Sequence, residues 1–169
     1  FYTPQEIVNY IINFLDIKKD SKILDPTCGC GVFLVTAYNY LKQISPNALN
    51  NVYGVDLNNS ATKIARINLW LRNGQDSNSL NILEKNIKIG NSIVENKFID
   101  KKAFNWKKNF SDILNNGGFD FIIGNPPYVT LKNKRDYDIN ESFFSQIANG
   151  STNAASLVIT KSYELLKEN

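Results

Sequence analysis

The sequence predicts an α/β domain built on a mostly parallel sheet. Short apolar runs rich in β-branched and aromatic residues alternate with segments of helical period, which is the pattern of consecutive strand and helix units. Each run stops at a polar residue, and a glycine-rich turn follows the first one. Because the carboxyl ends of parallel strands meet at one edge of the sheet, these polar residues would gather there. The length of 169 residues suits one domain with a single core.

The composition limits the chemistry that the chain can perform. Two cysteines, Cys28 and Cys30, stand one residue apart, and the chain contains no histidine, so we expect reduced thiols and no metal site. The absence of histidine also excludes a Ser-His-Asp triad. The net charge of +3 permits an anionic partner without demanding one. Carboxylates, amides and the positioning of substrates remain to carry any catalysis.

The hydropathy and the first residue of the chain indicate where the protein is located and whether the chain is complete. No apolar run approaches the length of a membrane span, and we expect a cytoplasmic protein that has no membrane partner. The chain begins at Phe1 and contains no methionine, which indicates a fragment of a longer protein.

The first strand–helix unit carries the glycine-rich turn. Thr3-Pro4-Gln5-Glu6 has the form of a capping box with proline at the first helical position, and we expect a helix over residues 4–15. A short strand then ends at Asp25 and leads through Pro26-Thr27-Cys28-Gly29-Cys30-Gly31 into a helix that runs to about Leu41. Glycines let a ligand approach the backbone, and the helix amino terminus offers unpaired N–H groups. The same turn can also be a tight connection with no ligand.

The second unit supplies another acid at a strand end. The strand over residues 51–56 ends at Asp56, one strand–helix–strand unit after the glycine turn, where a carboxylate can accept hydrogen bonds from ribose hydroxyls. The alternative role of Asp56 is a helix cap, although Asn59 or Ser60 can already cap the helix that we expect over residues 61–72.

In the carboxyl half of the chain, the sequence predicts strands joined by long polar connections. After a polar loop, a third strand over residues 86–90 ends at Asn91. Residues 93–118 have the pattern of a polar connection with one amphipathic turn. Residues 130–150 have no apolar period and are expected to be poorly ordered, whereas a closing helix is expected over residues 153–167.

A stiff corner ends the fourth predicted strand, which covers residues 119–124. Asn125-Pro126-Pro127-Tyr128 combines an extended residue before proline with two fixed proline backbones. The side-chain oxygen of Asn125 and the carbonyl of Pro126 can accept two hydrogen bonds from a planar amine, and these bonds strengthen as the nitrogen becomes pyramidal in the transition state. Tyr128 can stack on the ring that carries the amine. The alternative is that the corner only turns the chain after the strand.

Five motifs resemble, in order and spacing, those of DNA methyltransferases that use S-adenosylmethionine to modify adenine, in the group whose cofactor motifs precede the catalytic one. The motifs are Phe1-Tyr2-Thr3-Pro4, residues 25–33, Asp56, Gly90-Asn91-Ser92 and Asn125-Pro126-Pro127-Tyr128. The resemblance covers nearly the whole chain and is strongest to type I and fused type II restriction-modification enzymes. Three positions depart from the alanine, serine and aspartate that the family commonly has there, namely Thr27, Cys30 and Asn91.

The resemblance implies a Rossmann-like methyltransferase fold with the strands in the order 3-2-1-4. Residues 1–169 would be the amino-terminal portion of the catalytic domain, truncated before the fifth strand and without the target-recognition domain. Double-stranded DNA would be a partner, bound through parts largely outside these residues, together with a fused or associated endonuclease and specificity subunit. These residues alone would be inactive.

The resemblance also assigns roles to individual residues. Thr3 and Asp25 would meet the methionine end of S-adenosylmethionine, Asp56 its ribose, and Leu57 and Asn91 the surroundings of its adenine. The turn after the first strand would add four cofactor-binding residues, which are Pro26, Thr27, Cys28 and Gly29. The catalytic residues would be Asn125, Pro126, Pro127 and Tyr128.

The implied reaction is direct methyl transfer to the 6-amino group of an adenine flipped out of the DNA duplex, within a restriction-modification system. Other planar nitrogens remain open as acceptors, namely the 4-amino group of cytosine, a ribosomal RNA guanine and a protein glutamine amide. An inactive cofactor-binding module also remains open. A nicotinamide oxidoreductase is disfavoured because the turn lacks the third glycine of the dinucleotide fingerprint.

Overall fold

The sheet has the predicted strand order. A computed structural model of the chain describes residues 3–131 and 152–168. Within these residues, four parallel strands form a sheet in the order β3-β2-β1-β4. The strands are β1 (Ile23–Asp25), β2 (Val52–Asp56), β3 (Ile87–Ile89) and β4 (Phe121–Ile122). The α/β class and the strand order predicted from the sequence are therefore confirmed.

Helices cover both faces of this sheet. In the described part of the chain they are α1 (Gln5–Phe14), α2 (Val32–Leu41), α3 (Asn59–Arg72), α4 (Ser77–Asn86), α5 (Trp106–Asn109), α6 (Ser111–Asn115) and α7 (Ala154–Leu165), with a short 3-10 helix at Ala48–Asn51. Ile23 and Leu24 are both fully buried, although neighbouring residues of a strand point to opposite faces. Ile23 packs in the cluster formed with α1, α2 and α3, and Leu24 packs in an aromatic cluster on the other face. Burial on both faces is typical of parallel sheets.

The aromatic cluster orders a segment that the sequence predicted to be a polar connection. Tyr53 meets Phe110 edge to face, with ring centroids 5.7 Å apart. Trp106 is buried in the same cluster, and its Nε1 donates a hydrogen bond to the Ser92 carbonyl. The interpretation of residues 93–118 is therefore corrected in part: the predicted amphipathic turn is confirmed as α6, whereas α5 and the burial of Trp106 were not predicted.

The predicted capping box at the start of α1 is wrong. Pro4 is extended, with φ −54° and ψ 141°, so the helix begins at Gln5, and no side chain in the part of the chain that the structure describes caps it. Because Pro4 occupies the cap position, Thr3 lies one residue outside it and its hydroxyl is not used by the helix. The backbone carbonyl of Pro4 instead accepts the first hydrogen bonds of the helix.

The cap of α3 also differs from the expectation. Asn58 is extended immediately before the helix, and its side-chain oxygen accepts hydrogen bonds from the N–H groups of Ser60 and Ala61 at 2.9 and 3.3 Å. Asn59 is already the first residue of the helix. The cap is therefore Asn58, because it is the residue whose backbone is not yet helical.

α4 lies where the sequence predicted a polar loop. Asp76 caps its first turn, and the residues that it buries are Ser79, Leu83 and Asn86. Asn86 is satisfied there because its Nδ2 donates to the Leu49 carbonyl at 3.2 Å. Two of the three buried positions are polar, so the helix has no apolar period that the sequence could reveal.

The carboxyl part of the chain adds a small second sheet. Thr130–Leu131 form β5, which pairs antiparallel with β6 (Thr152–Asn153), and this pair was not predicted. The closing helix is confirmed as α7. The remainder of the loop predicted over residues 130–150 lies outside the described residues, as do Phe1 and Tyr2 of the amino-terminal motif. None of the helices described here is both long enough and apolar enough to cross a membrane.

Candidate functional site

The polar strand ends predicted from the sequence lie along one edge of the sheet. Asp25 and Asp56 are the last residues of β1 and β2, whereas Asn91 and Asn125 follow shortly after β3 and β4. Neighbouring strands of a sheet are about 4.8 Å apart. Since β1 pairs directly with β4, Asp25 and Asn125 belong to adjacent strand ends.

The glycine turn after β1 is held by backbone hydrogen bonds. The N–H of Cys28 donates to the Val55 carbonyl at 2.9 Å, and the N–H of Gly31 donates to the Cys28 carbonyl at 2.8 Å. Gly31 has a φ of +86°, and a Cβ atom there would stand 2.9 Å from the Cβ of Ala65 on α3. Only glycine therefore lets the turn pack this closely against α3.

Asp56 connects the end of β2 to this turn. Its Oδ2 accepts a hydrogen bond from the N–H of Gly29 at 2.8 Å, and its Oδ1 accepts one from the N–H of Asn58 at 2.8 Å. Each carboxylate oxygen has a second lone pair, so two further hydrogen bonds can be accepted. Asp56 thus shapes the turn and still keeps acceptor capacity.

Asp25 is the buried acid of the site. Its side chain is 2% exposed, and its Oδ1 accepts a hydrogen bond from the N–H of Thr27 at 3.0 Å. Burial raises the pKa of Asp25 to about 7, the Thr27 hydrogen bond opposes this rise, and the charge of Asp56 adds to it. A cation placed beside Asp25 would favour the charged carboxylate.

A cavity of about 270 Å³ opens over the glycine turn. It brings together six of the residues predicted for the site, which are Thr3, Asp25, Thr27, Cys28, Gly29 and Asn125. Four lining residues outside the glycine-rich motif were missed by the sequence reasoning, namely Gln5, Val35, Asn68 and Arg72. Asn68 also ties α3 to the turn, because its Nδ2 donates a hydrogen bond to the Cys30 carbonyl at 3.1 Å.

Thr27 presents an unsatisfied polar atom in the wall of this cavity. Its Oγ1 is buried and has no hydrogen-bond partner among residues 3–131 and 152–168. A buried hydroxyl without a partner costs free energy, so such a group indicates a position at which a ligand supplies the missing bond. The cavity wall therefore fits a polar ligand.

The corner after β4 lies at the rim of the cavity. Asn125 is exposed, and its Nδ2 donates a hydrogen bond to Thr3 Oγ1 at 3.2 Å. Pro126 is half-buried and lines a second cavity of about 280 Å³ against α7. Pro127 and Tyr128 are exposed, and the Tyr128 ring, at 76% exposure, can receive a planar group.

Other predicted site residues lie outside the wall of the first cavity. Leu57 is 47% exposed beyond the end of β2. The side chain of Asn91 is already bonded, because its Nδ2 donates to Asp100 at 2.7 Å and its Oδ1 accepts from the N–H of Ile93. Pro26 is buried and lines the second cavity.

Sequence comparison relates the chain to restriction-modification methylases. The family model described as Eco57I restriction-modification methylase matches residues 50–169. The type I restriction enzyme MjaVII methylase subunit of Methanocaldococcus jannaschii is 36% identical over 75% of this chain and 18% of its own length. The type II restriction enzyme and methyltransferase RM.Eco57I of Escherichia coli is 27% identical over 98% of this chain and 22% of its own length. The chain spans about a fifth of the length of these curated relatives.

Solved structures share the fold. A type I restriction-modification methyltransferase subunit from Streptococcus thermophilus superposes with a TM-score of 0.61 at 20% identity, covering 99% of this chain and 32% of that one. The DrdV–DNA complex superposes with a TM-score of 0.68 at 22% identity, covering 99% of this chain and 19% of that one. At this level of identity the similarity concerns the fold.

Proposed function

This chain belongs to the Eco57I restriction-modification methylase family, and we propose that it forms the cofactor- and amine-binding part of a methyltransferase that acts on the 6-amino group of adenine in DNA. The observation that carries the proposal is the position of Asn125 at the rim of the cavity lined by Asp25 and Thr27. A side chain that can accept a hydrogen bond from an amine thereby lies next to a polar cavity that can hold a cofactor.

The cofactor that we propose is S-adenosylmethionine. When bound, it would supply a methyl group activated on a positively charged sulfur. Three features of the cavity fit it: the unpartnered hydroxyl of Thr27, the buried carboxyl of Asp25 and the open turn at Gly29. The proposed contacts of Asp25 and Thr3 are with the methionine end. An ammonium group beside Asp25 would repay its burial by favouring the charged carboxylate.

The proposed contacts of the nucleoside end come from residues beyond the cavity wall. Asp56 keeps lone pairs that can accept hydrogen bonds from two ribose hydroxyls. Leu57 and Asn91 are the proposed neighbours of the adenine ring. The Asn91 amide is bonded to Asp100, and Leu57 has an exposed apolar side chain that can contact the ring.

The residues of the corner would bind the target amine. Asn125 Oδ1 and the Pro126 carbonyl would each accept a hydrogen bond from one N–H group of the amine. These hydrogen bonds strengthen as the nitrogen loses conjugation with the ring. Tyr128 would stack on an adenine extruded from the duplex. Neither cysteine needs to act as a nucleophile, and burial raises the pKa of the Cys28 thiol well above its ordinary value.

We further propose that residues 1–169 are the amino-terminal portion of the catalytic domain. The relatives are about five times longer than the part that this chain matches, which supports target recognition by other segments. Double-stranded DNA, a specificity subunit, and a fused or associated endonuclease are the proposed partners. The printed name of RM.Eco57I, which joins restriction enzyme and methyltransferase, supports the last of these.

The test is methyl transfer by the full-length protein and its Asn125→Ala variant. With labelled S-adenosylmethionine and DNA, we expect 6-methyladenine as the product and a loss of about 10²-fold or more in kcat for the variant, as for the loss of one transition-state hydrogen bond. Cofactor affinity should stay within about threefold. Asn59→Ala, at an exposed position on α3, is the matched control and should remain active.

Three results would contradict the proposal in different ways. Full activity of Asn125→Ala would remove the catalytic role of the corner. Methylcytosine or a methylated protein as the product would assign another acceptor nitrogen. Cofactor binding without any transfer would favour the cofactor-binding module.

A further inference from the structure

The amide of Asn125 is held by a residue that lies 122 positions away in the sequence. Its Nδ2 donates a hydrogen bond to Thr3 Oγ1, with an N···O distance of 3.2 Å. Thr3 is half-buried just before α1, and Asn125 is exposed just beyond β4. Both side chains line the cavity over the glycine turn. The bond therefore joins the cofactor side of the site to the amine side.

The hydroxyl of Thr3 is not required by the helix that follows it. Within the described residues, no side-chain hydrogen bond caps α1. The helix is attached by other means, since Gln5 Nε2 donates to Thr36 Oγ1 at 2.8 Å and Val8 and Ile12 are buried in the core. Among the described residues, the Thr3 hydroxyl therefore makes its hydrogen bond with Asn125. This bond positions a side chain of the site and is not needed to hold α1 in place.

The direction of this hydrogen bond decides what Asn125 presents to a substrate. A primary amide has an acceptor end and a donor end of similar size, and rotation by half a turn exchanges them. An amine with two N–H bonds needs the acceptor end, because the NH₂ end would face it donor to donor. With Nδ2 bonded to Thr3, Oδ1 is the end that remains for the amine.

We propose that Thr3 is a positioning residue, which holds the Asn125 amide with Oδ1 toward the target amine; this inference rests on the proposed function of the corner. The hydroxyl proton of Thr3 can itself be donated to an acceptor in the cavity, such as a carboxylate of the cofactor. A hydroxyl that donates there offers only lone pairs to Asn125. Filling the cavity would then reinforce the productive orientation of the amide.

Three variants of the full-length protein test the positioning role. Thr3→Val keeps the shape and removes the hydroxyl, and we expect kcat to fall about tenfold, which corresponds to about 1.4 kcal/mol. Cofactor Kd should stay within about threefold, because the loss concerns the orientation of Asn125. Thr3→Ser restores the hydroxyl and should recover most of kcat. Thr36→Val makes the same substitution in the bond that attaches α1 and should leave kcat unchanged.

A second readout follows the amide directly and needs no methyl transfer. The side-chain NH₂ signals of Asn125, assigned by their loss in Asn125→Asp, should exchange with water about fivefold faster in Thr3→Val than in the unsubstituted protein or in Thr3→Ser. Adding S-adenosylhomocysteine should slow this exchange in the unsubstituted protein and leave Thr3→Val unaffected.

The inference and the proposed function fail in distinguishable ways. Exchange of the Asn125 amide that is unchanged by Thr3→Val would overturn the positioning role whether or not the protein methylates DNA. An unchanged kcat with a large rise in cofactor Kd would overturn it as well and leave Thr3 as a cofactor ligand only. Equal losses in Thr3→Val and Thr36→Val would assign the effect to the attachment of α1. Absence of methyl transfer by the unsubstituted protein would instead refute the proposed function.

Discussion

The carboxyl group of Asp25 lies directly against the backbone of Gly124. A Cβ atom added at Gly124 would stand 2.5 Å from Asp25 Oδ1, a distance at which one of the two groups must move. Asp25 is buried at the end of β1, and Gly124 immediately precedes the Asn125 corner. The buried acid and the corner therefore form one packed unit.

Gly124→Ala should disturb this unit without disrupting the sheet. Since the added methyl group displaces the Asp25 carboxyl, we expect the affinity for the proposed cofactor to fall about tenfold, which is about 1.4 kcal/mol. Titration calorimetry with S-adenosylhomocysteine measures this change. Gly74→Ala is the control, because a Cβ there meets nothing within 4 Å and its φ of +78° makes any cost one of stability alone. Unchanged affinity in Gly124→Ala would show that the carboxyl position does not matter for binding.

Asp25 should make the stability of the chain depend on pH. Its pKa is raised from 3.8 to about 7, chiefly by burial, so between these values the folded chain keeps a proton that the unfolded chain has lost. The free energy of unfolding should therefore fall as pH rises through this window, by up to about 1.4 kcal/mol per pH unit, and level off above it. Urea unfolding from pH 4.5 to 8 checks this. Asp25→Asn should remove that component of the slope, and an identical slope would rule out the buried acid as its source.

Asp56 should matter for the turn as well as for any ligand. Asp56→Ala leaves the part-buried N–H of Gly29 without its acceptor, which should cost about 1 kcal/mol of unfolding free energy, whereas the exposed N–H of Asn58 can bond to water instead. Asp56→Asn retains one acceptor oxygen and should cost about half as much. Urea midpoints compare the two variants. Equal stability of the alanine variant would mean that water replaces the carboxylate at no cost.

Asn58 should stabilise α3 more than its neighbour does. Asn58→Ala removes the cap that Ser60 and Ala61 use, and we expect a loss of about 1 kcal/mol. Asn59→Ala changes an exposed residue inside the helix and should be neutral or slightly stabilising, because alanine has the higher helix propensity. Thermal melting of the two variants distinguishes them. A larger loss at Asn59 would contradict the assigned cap.

The sheet was predictable because its signal is local. Each strand is a short β-branched run, and Asp25 and Asp56 stand at visible strand ends. α4 was hidden because two of its three buried side chains are polar: Ser79 accepts a hydrogen bond from Asn73, and Asn86 donates one to the Leu49 carbonyl. The predicted helix caps were wrong because the position of a cap depends on backbone angles. The angles of Pro4 and Asn58 are not determined by their residue types alone.

The site was predictable only where a motif marks it. Thr27 and Asn125 follow recognisable strands, and both line the cavity. Asn68 and Arg72 reach it through the packing of α3 against the glycine turn, which is a long-range contact. The available signal was their spacing from Ala65, three and seven residues further along the same helix face, since Ala65 is the residue against which Gly31 packs.

The two cysteines of the glycine turn differ in accessibility, and this gives the chain a natural position for chemical labelling. Cys28 is 4% exposed, and burial together with the charges of Asp25 and Asp56 keeps its thiol protonated. Cys30 is half-buried and lines the cavity. Since alkylating reagents react with accessible thiolates, a fluorescent maleimide should modify Cys30 in preference to Cys28. The rate at which the maleimide modifies Cys30 would then measure the fraction of protein with a ligand in the cavity, and no cysteine would have to be introduced.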